Sequence, residues 1–151
     1  MSVRSQMGST RDGFTIIEVI LVIVVLALLS LGAMAVGVDS REVEVIAEAD
    51  ILRAHLGFMQ SMAMANNTVD WSVAFSGSSY VFLADGAPSP VNLPGESSPA
   101  HALPSGVVLA LGAGALSFDS WGAPPADYLV RLSGGSRQET VLIRGFTGLV
   151  Q

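Results

Sequence analysis

The chain has 151 residues, a length that favours one globular domain with room for an appendage. Seven Arg, no Lys and thirteen acidic residues give a net charge of −6, which argues against a nucleic-acid partner because phosphate recognition needs basic patches. The absence of Cys excludes disulfides, thiolate zinc sites and cysteine nucleophiles.

Residues 1–13, MSVRSQMGSTRDG, form a short polar segment at the start of the chain. Its two Arg residues precede a long apolar stretch, and positive charge in that position orients a membrane helix with its N-terminus in the cytoplasm. We therefore expect these residues to act as a leader rather than as part of the fold.

Residues 14–38 are the most apolar part of the chain. From Val19 to Val38 there are 20 consecutive uncharged residues, enough for a helix of ~30 Å, which is the thickness of the hydrocarbon core of a bilayer. This pattern predicts a transmembrane helix, with everything after Val38 on the far side of the membrane.

Glu18 lies near the start of this apolar segment and can be interpreted in two ways. A charged side chain costs ~2.5–3.5 kcal/mol at the centre of a membrane helix and less near an end, so Glu18 could extend to the lipid headgroups. Alternatively, it faces a positive charge in an assembly. If the chain is cut before Phe14, the new terminal amine of one copy can pair with Glu18 of another, and desolvation makes such a pair selective for register.

Residues 39–66 keep a helical period and predict an amphipathic continuation of the same helix. Two adjacent apolar rows are expected to pack on a core: Val43, Ala47, Ile51, Ala54, Phe58 and Met62, and Ile46, Ala49, Leu52, Leu56, Met59 and Ala63. Glu48 and His55 fall largely outside these rows. Asn66 and Asn67 predict the helix end, so that one helix of ~80 Å could run from Phe14 to about Asn66.

Residues 67–151 change in character to short β-prone runs separated by Gly, Ser, Asp and Pro. The runs are WSVAF, YVFLA, VVLAL, LSF, YLVRL and TVLIR, and the sequences SGSS and SGGS resemble hairpin turns. The stretch from Asp85 to Ser105 holds five of the seven prolines and is expected to be an irregular loop. The sequence therefore predicts an α+β fold in which a long N-terminal helix packs on a small C-terminal antiparallel sheet.

Other residues that could carry chemistry have plain structural interpretations. His55 and His101 are 46 positions apart without ligand spacing, so surface or packing roles are expected. Asp70, Asp85, Asp119 and Asp127 lie beside turns, where Asp forms local hydrogen bonds, and no calcium-loop pattern is present, although a calcium site among them stays open.

Apolar and aromatic residues outside the rows are expected to pack rather than to bind. Met59, Met62 and Met64 are interpreted as core filler. Trp71 and Trp121 are interpreted as packing anchors, with contact to a partner as the alternative. The chain lacks a P-loop Lys, a complete dinucleotide loop and a Gly-x-Ser-x-Gly motif, so no enzyme signature is present.

The stretch GFTIIEVILVIVVLALLSLGAMA resembles the N-terminal signature of type IV pilins and type II secretion pseudopilins. Gly13, Phe14, Thr15 and Glu18 match its positions. The resemblance implies cleavage after Gly13 by a prepilin peptidase, N-methylation of Phe14, and a role for Glu18 in aligning subunits. The chain departs from the family pattern at Asp12, where Lys or Arg is usual.

Later segments are similar to the H-type minor pseudopilins and related minor pilins. These segments are ILRAHLGFMQSMAMANN, LSFDSWGAPP and VLIRGFTGLVQ. The chain also has Ala35 where many pilins carry a Pro, and it lacks the Cys pair that closes a C-terminal loop in many major pilins. These features favour a minor subunit over a major one.

The resemblance implies a function in assembly and no catalytic activity, metal or cofactor. The expected partners are other pilin or pseudopilin subunits, prepilin peptidase, an inner-membrane assembly platform and, before assembly, membrane lipid. The expected location is the bacterial inner membrane, with the domain of residues 67–151 in the periplasm, followed by a filament. A binding or adhesion module at a filament tip and a membrane-anchored enzyme are the alternatives.

Overall fold

The computed structural model of the chain describes residues 15–34, 40–112 and 114–151, and the chain divides into two units at residue 38. Within the first unit, α1 spans Ile16–Met34. Its sequence has no Pro, and its apolar side chains offer the backbone no competing hydrogen-bond partner, so the backbone groups are satisfied by the helix itself. Among the described residues, no helix is both long enough and apolar enough to span a membrane.

The second unit begins with α2, which spans Ser40–Ala65. The helix ends just before Asn66, as predicted, and the Asn66 Oδ1 atom accepts hydrogen bonds from the backbone N–H of Thr68 at 3.1 Å and from its hydroxyl at 2.7 Å. The predicted single helix from Phe14 to Asn66 includes residues 14 and 35–39, which lie outside the described residues.

Among the described residues that follow α2, eight strands form two antiparallel sheets. They are β1 (Trp71–Phe75), β2 (Ser79–Ala84), β3 (Ala87–Pro88), β4 (Ala100–Ala102), β5 (Val108–Leu111), β6 (Gly114–Phe118), β7 (Tyr128–Gly134) and β8 (Arg137–Ile143). The first sheet has the order β3-β2-β1-β6, with β4 also paired to β2, and the second has the order β5-β7-β8. This confirms the predicted class, a helix followed by a small antiparallel sheet domain.

The predicted turns are present where the sequence placed them. SGSS connects β1 to β2, and SGGS connects β7 to β8 with Gly134 opposite Arg137. Gly135 has a φ of 59°, a conformation that suits glycine because it has no Cβ.

The segment from Asp85 to Ser105 is more ordered than the expected irregular loop. It contains β3 and β4, and both pair with the outer edge of β2. A proline-rich segment can still form short strands at the edge of a sheet. Both β3 and β4 are short strands at such an edge. The prediction of a wholly irregular loop was therefore wrong.

One stripe of α2 packs on the sheets, and it is the second of the two predicted rows. Ala49, Leu52, Leu56 and Met59 are fully buried, whereas Ile46 of that row is exposed. Four residues of the first row are exposed, including Val43 at 55%, whereas Phe58 and Met62 pack on the core, so the prediction of a core face was wrong for the N-terminal part of this row. A helix lying on a sheet buries one face only, and the two rows together exceed that width.

The core lies between this stripe of α2 and the inner faces of the two sheets. Val73, Phe82, Val130 and Val141 are fully buried. Trp71 stacks on Phe82 with ring centroids 5.1 Å apart, and its indole N–H donates to the Asn66 carbonyl at 2.8 Å. Trp71 is therefore the packing anchor that the sequence predicted.

Candidate functional site

The start of α1 is shaped by Thr15 and Glu18. The backbone N–H of Glu18 donates to the Thr15 carbonyl at 3.0 Å and lies 3.4 Å from the Thr15 hydroxyl. A hydroxyl residue followed three positions later by Glu is the spacing of a capping box, in which side chains satisfy backbone groups at a helix start. The sequence TIIE carries this signal, and the sequence interpretation missed it.

Glu18 itself is exposed and lies in the first turn of α1. A carboxylate in this position is favourable because the helix dipole is positive at its N-terminus. Among the ion pairs of the described residues, none involves Glu18. Gly13 and Phe14, the predicted cleavage and methylation positions, lie outside the described residues.

The rest of α1 presents apolar side chains on every side. All residues from Ile16 to Leu29 are exposed, and twelve of them are large and apolar, with accessibilities from 46% at Val25 to 82% at Ile16. A helix that is apolar around its whole circumference is stable only within lipid or among other apolar helices. The apolar surface of residues 16–29 is therefore suited to contact with lipid or with other apolar helices.

A cluster of buried polar side chains lies in the second unit, between α2 and the β2–β4 edge. The His101 Nε2 atom lies 2.8 Å from Glu48 Oε2, and its Nδ1 atom lies 2.6 Å from Glu96 Oε1. The His55 Nδ1 atom lies 2.7 Å from the Tyr80 hydroxyl oxygen, and the two imidazole rings are 5.4 Å apart. Glu48, His55, Tyr80 and His101 are buried and Glu96 is partly exposed at the edge of the group, and we call these five residues the buried polar cluster.

The hydrogen bonds of the cluster join its members to one another and to the backbone. His55 Nε2 donates to the Pro94 carbonyl at 2.9 Å, since a carbonyl can only accept, and its Nδ1 shares a hydrogen bond with the Tyr80 hydroxyl. Burial lowers the pKa of His101, but its hydrogen bonds to Glu48 and Glu96 and their charges outweigh burial, so the pKa lies above 6.5. Burial, followed by the charges of Glu48 and Glu96, raises the pKa of Tyr80, which keeps its hydroxyl a donor.

The cluster corrects several sequence interpretations. Glu48 and His55 were placed off the packing face of α2, yet they are 7% and 3% exposed. The two His residues are 46 positions apart in the sequence and were not expected to meet. They come together because β4 lies against the face of α2 that carries Glu48. Every described buried side-chain polar atom has a hydrogen-bond partner. The hydrogen bonds of the cluster therefore join α2 to β2 and β4 without leaving a buried polar group unpaired.

Three of the four Asp residues beside turns accept hydrogen bonds from backbone groups through their side chains, as predicted for such positions, and Asp70 takes part through its backbone. The Asp85 Oδ1 atom accepts from the Asp70 N–H at 2.8 Å, and Asp119 Oδ1 accepts from the N–H groups of Trp121 and Ala123, both at 2.9 Å. The hydrogen bond from the Gly145 N–H, followed by that from Arg144, lowers the pKa of Asp127. Across residues 15–34, 40–112 and 114–151, no group of three or more His, Asp or Glu side chains is arranged to hold a metal ion.

Two predicted packing residues are instead on the surface. The side chain of Trp121 is 82% exposed, and that of Met64 is 56% exposed. Trp121 lies in the turn closed by Asp119, and the middle of a tight turn projects away from the core. Its interpretation as a packing anchor was wrong, and contact with a partner is the alternative that the structure favours.

Comparisons with known proteins give one family match and one structural match. The model described as the prokaryotic N-terminal methylation motif matches residues 9–34. The crystal structure of the type IV minor pilin FimU of Pseudomonas aeruginosa superposes with a TM-score of 0.53 at 15% identity, covering 72% of this chain and 87% of that chain. The comparison with curated proteins gives no match.

Proposed function

The N-terminal methylation motif and the fold together support a type IV pilin-like family, and we propose on that premise that the chain is a minor pilin or pseudopilin subunit. It assembles through its N-terminal helix into a type IV pilus-like or type II secretion filament. The observation that carries this proposal is that α1 is apolar and exposed on every side and overlaps the matched motif. A filament core of packed helices supplies the surroundings that such a helix needs.

In the proposed pathway, a prepilin peptidase cleaves after Gly13, and Phe14 becomes the methylated N-terminal residue. The new amine of one copy then pairs with Glu18 of a neighbouring copy. An unpaired charge among apolar helices is costly, so this pairing selects one register. The exposed carboxylate of Glu18, without an ion pair among the described residues, supports this role.

Before assembly, residues 14–38 lie in the inner membrane with the N-terminus in the cytoplasm. Residues 39–66 extend the helix, and residues 67–151 form the periplasmic domain. An inner-membrane assembly platform then transfers the apolar helix from lipid to neighbouring subunits. The transfer costs little hydrophobic free energy because lipid tails and packed helices are similarly apolar.

The processing step predicts a defined N-terminus. Mass spectrometry of the protein from its native membrane should find a chain that begins at Phe14 with one added methyl group. A mature chain that still begins at Met1, or one cut after Val38, would contradict the proposal. The control is a Gly13→Leu variant, whose bulky side chain should leave the leader attached.

Substitutions at Glu18 separate charge pairing from helix capping. Glu18→Ala removes both functions, whereas Glu18→Gln removes the charge and keeps a side chain that suits a capping box. Both variants should reach the membrane at the normal level and should be depleted from filaments. Normal incorporation of Glu18→Gln would assign Glu18 to the helix start alone and exclude the proposed pairing.

A role as a binding module at a filament tip is the second candidate, favoured by the exposed Trp121. The membrane-anchored enzyme is disfavoured, because the densest polar cluster among the described residues is buried and its hydrogen bonds are internal. We therefore assign the chain a structural rather than a catalytic role.

A further inference from the structure

Two neighbouring turns at the C-terminal end of the second unit form one surface. The first, residues 119–123, is closed by hydrogen bonds of 2.9 Å from the Asp119 N–H to the Ala123 carbonyl and from the Gly122 N–H to the Asp119 carbonyl. The second, residues 144–148, is closed by the Gly148 N–H, which donates to the Arg144 carbonyl at 3.0 Å. Both turns are therefore defined by their own backbone bonds.

The two turns are fastened to each other and to α2. The Gln60 Nε2 atom donates to the Gly122 carbonyl at 2.9 Å and to the Gly148 carbonyl at 2.5 Å. The Phe146 N–H donates to the Pro124 carbonyl at 3.1 Å. A Cβ atom on Gly148 would lie 2.6 Å from the Gly122 carbonyl oxygen, so the contact tolerates only glycine there.

This fixed surface presents two aromatic side chains to solvent. Trp121 is 82% exposed and Phe146 is 85% exposed. Aromatic residues are enriched in protein interfaces, where they bury a large area with little loss of side-chain entropy. Neither ring contributes to the core of the second unit. Burial of these rings by a partner would therefore lower the free energy of the complex.

Phe146, one of the two exposed aromatic residues, lines a cleft of about 410 Å³ together with Asp70, Asp119, Pro124 and Pro125. An adjoining cleft shares Asp70 and Asp119 and adds Asp85. Among the ion pairs of the described residues, none involves these three carboxylates. Arg144, the basic residue of the second turn, is already paired with Asp127 at 2.8 Å.

We propose that this aromatic–acidic cleft binds an Arg side chain from a protein partner. The planar guanidinium suits both features of the cleft, because it forms paired hydrogen bonds with carboxylates and stacks on aromatic rings. Asp70 and Asp119 supply the negative charge, and Phe146 supplies the aromatic ring. A negative cleft with exposed rings selects a cation over an acidic or purely apolar segment.

The test is fluorescence polarisation with the full chain in uncharged detergent micelles and a labelled peptide, Gly-Arg-Gly-Arg-Gly. We expect saturable binding that weakens as salt concentration rises, because ion pairs at a surface are screened. The matched peptide replaces each Arg with citrulline, which keeps the shape and loses the charge, and it should bind at least tenfold more weakly. This assay does not involve filament formation, so its result is independent of the proposed function.

Three variants locate the binding in the cleft. Phe146→Ala should weaken the binding by roughly 2- to 30-fold, as expected for loss of one cation–π contact. Asp70→Asn removes a cleft charge, and Glu44→Gln is the control because it removes a charge on α2 outside the cleft. Far-UV circular dichroism verifies that each variant is folded.

Several outcomes would overturn the proposal. Equal affinity for the Arg and citrulline peptides would indicate a neutral partner. Equal loss of binding in the Asp70→Asn and Glu44→Gln variants would indicate attraction to overall charge. Self-association that buries Trp121 in the absence of peptide would identify a second copy as the occupant.

Discussion

The two helices of the chain are stabilised in opposite ways. Along α2, one stripe that includes Leu52 and Leu56 is fully buried against the sheets, and the opposite face is exposed. Along α1, every described side chain from Ile16 to Leu29 is exposed and nearly all are apolar. A helix like α2 buries its apolar stripe within its own domain. A helix like α1 can bury its apolar surface only in lipid or against other apolar helices.

The same substitution in the two helices should therefore have different effects. Leu52→Ala leaves a cavity in the core and should lower the free energy of unfolding of the second unit by about 2–5 kcal/mol. Leu21→Ala, at a residue 63% exposed, should leave that free energy unchanged. Urea denaturation of the full chain in detergent, followed by fluorescence of the buried Trp71, measures both.

Each variant is the control for the other. A loss of more than about 1 kcal/mol in Leu21→Ala would show that α1 contributes to the second unit, and the contrast between the helices would fail. Filament incorporation should show the reverse order, because Leu21 lies on the helix that the proposed function buries between subunits.

The buried polar cluster should make the stability of the second unit depend on pH. The pKa of His101 is raised on folding, so the folded state binds its proton more tightly than the unfolded state. The stabilisation is complete below about pH 6.5, the ordinary His value, and is lost as pH rises through the raised pKa. Over that window the free energy of unfolding should fall by at most about 1.4 kcal/mol per pH unit.

His101→Gln is the comparison for this pH dependence. The variant is less stable, because Glu48 loses its ionic partner in a buried position, but the slope between pH 6.5 and 8 should be smaller. Denaturation curves at several pH values give both slopes. If wild type and variant decline equally, another group carries the dependence and His101 is not its source.

The sequence predicted those features that depend on neighbouring residues. The strand runs, the two hairpin turns and the end of α2 near Asn66 are all local patterns, and the structure confirms them. The N-terminal signature is local as well, and the N-terminal methylation motif matches that part of the chain. The capping box formed by Thr15 and Glu18 was equally visible in the sequence.

The features that the sequence interpretation got wrong depend on contacts between distant segments. Small and branched apolar residues cover more than one face of α2, so periodicity could not decide which row faces the sheets. Glu48 and His101 are 53 positions apart and meet only because β4 pairs with the edge of β2. Whether the ring of Trp121 is buried depends on the segments that pack around its turn, and the residues next to it do not fix that contact.

The smallest predicted effect concerns the hydrogen bond that caps the start of α1. Thr15→Ala removes the hydroxyl beside the Glu18 N–H, and the long distance of 3.4 Å places its cost at the low end for a helix cap, about 0.5 kcal/mol. Since α1 gains no stability from a core of its own, this loss should appear as faster amide exchange at residues 16–19 in detergent. Thr15→Ser keeps the hydroxyl and should exchange at the normal rate, and the unfolding of the second unit should be the same in both variants. A lower free energy of unfolding of the second unit, or faster exchange within α2, would mean that the two helices share their stability. An effect confined to α1 would show that its stability depends on its own cap and on what covers it.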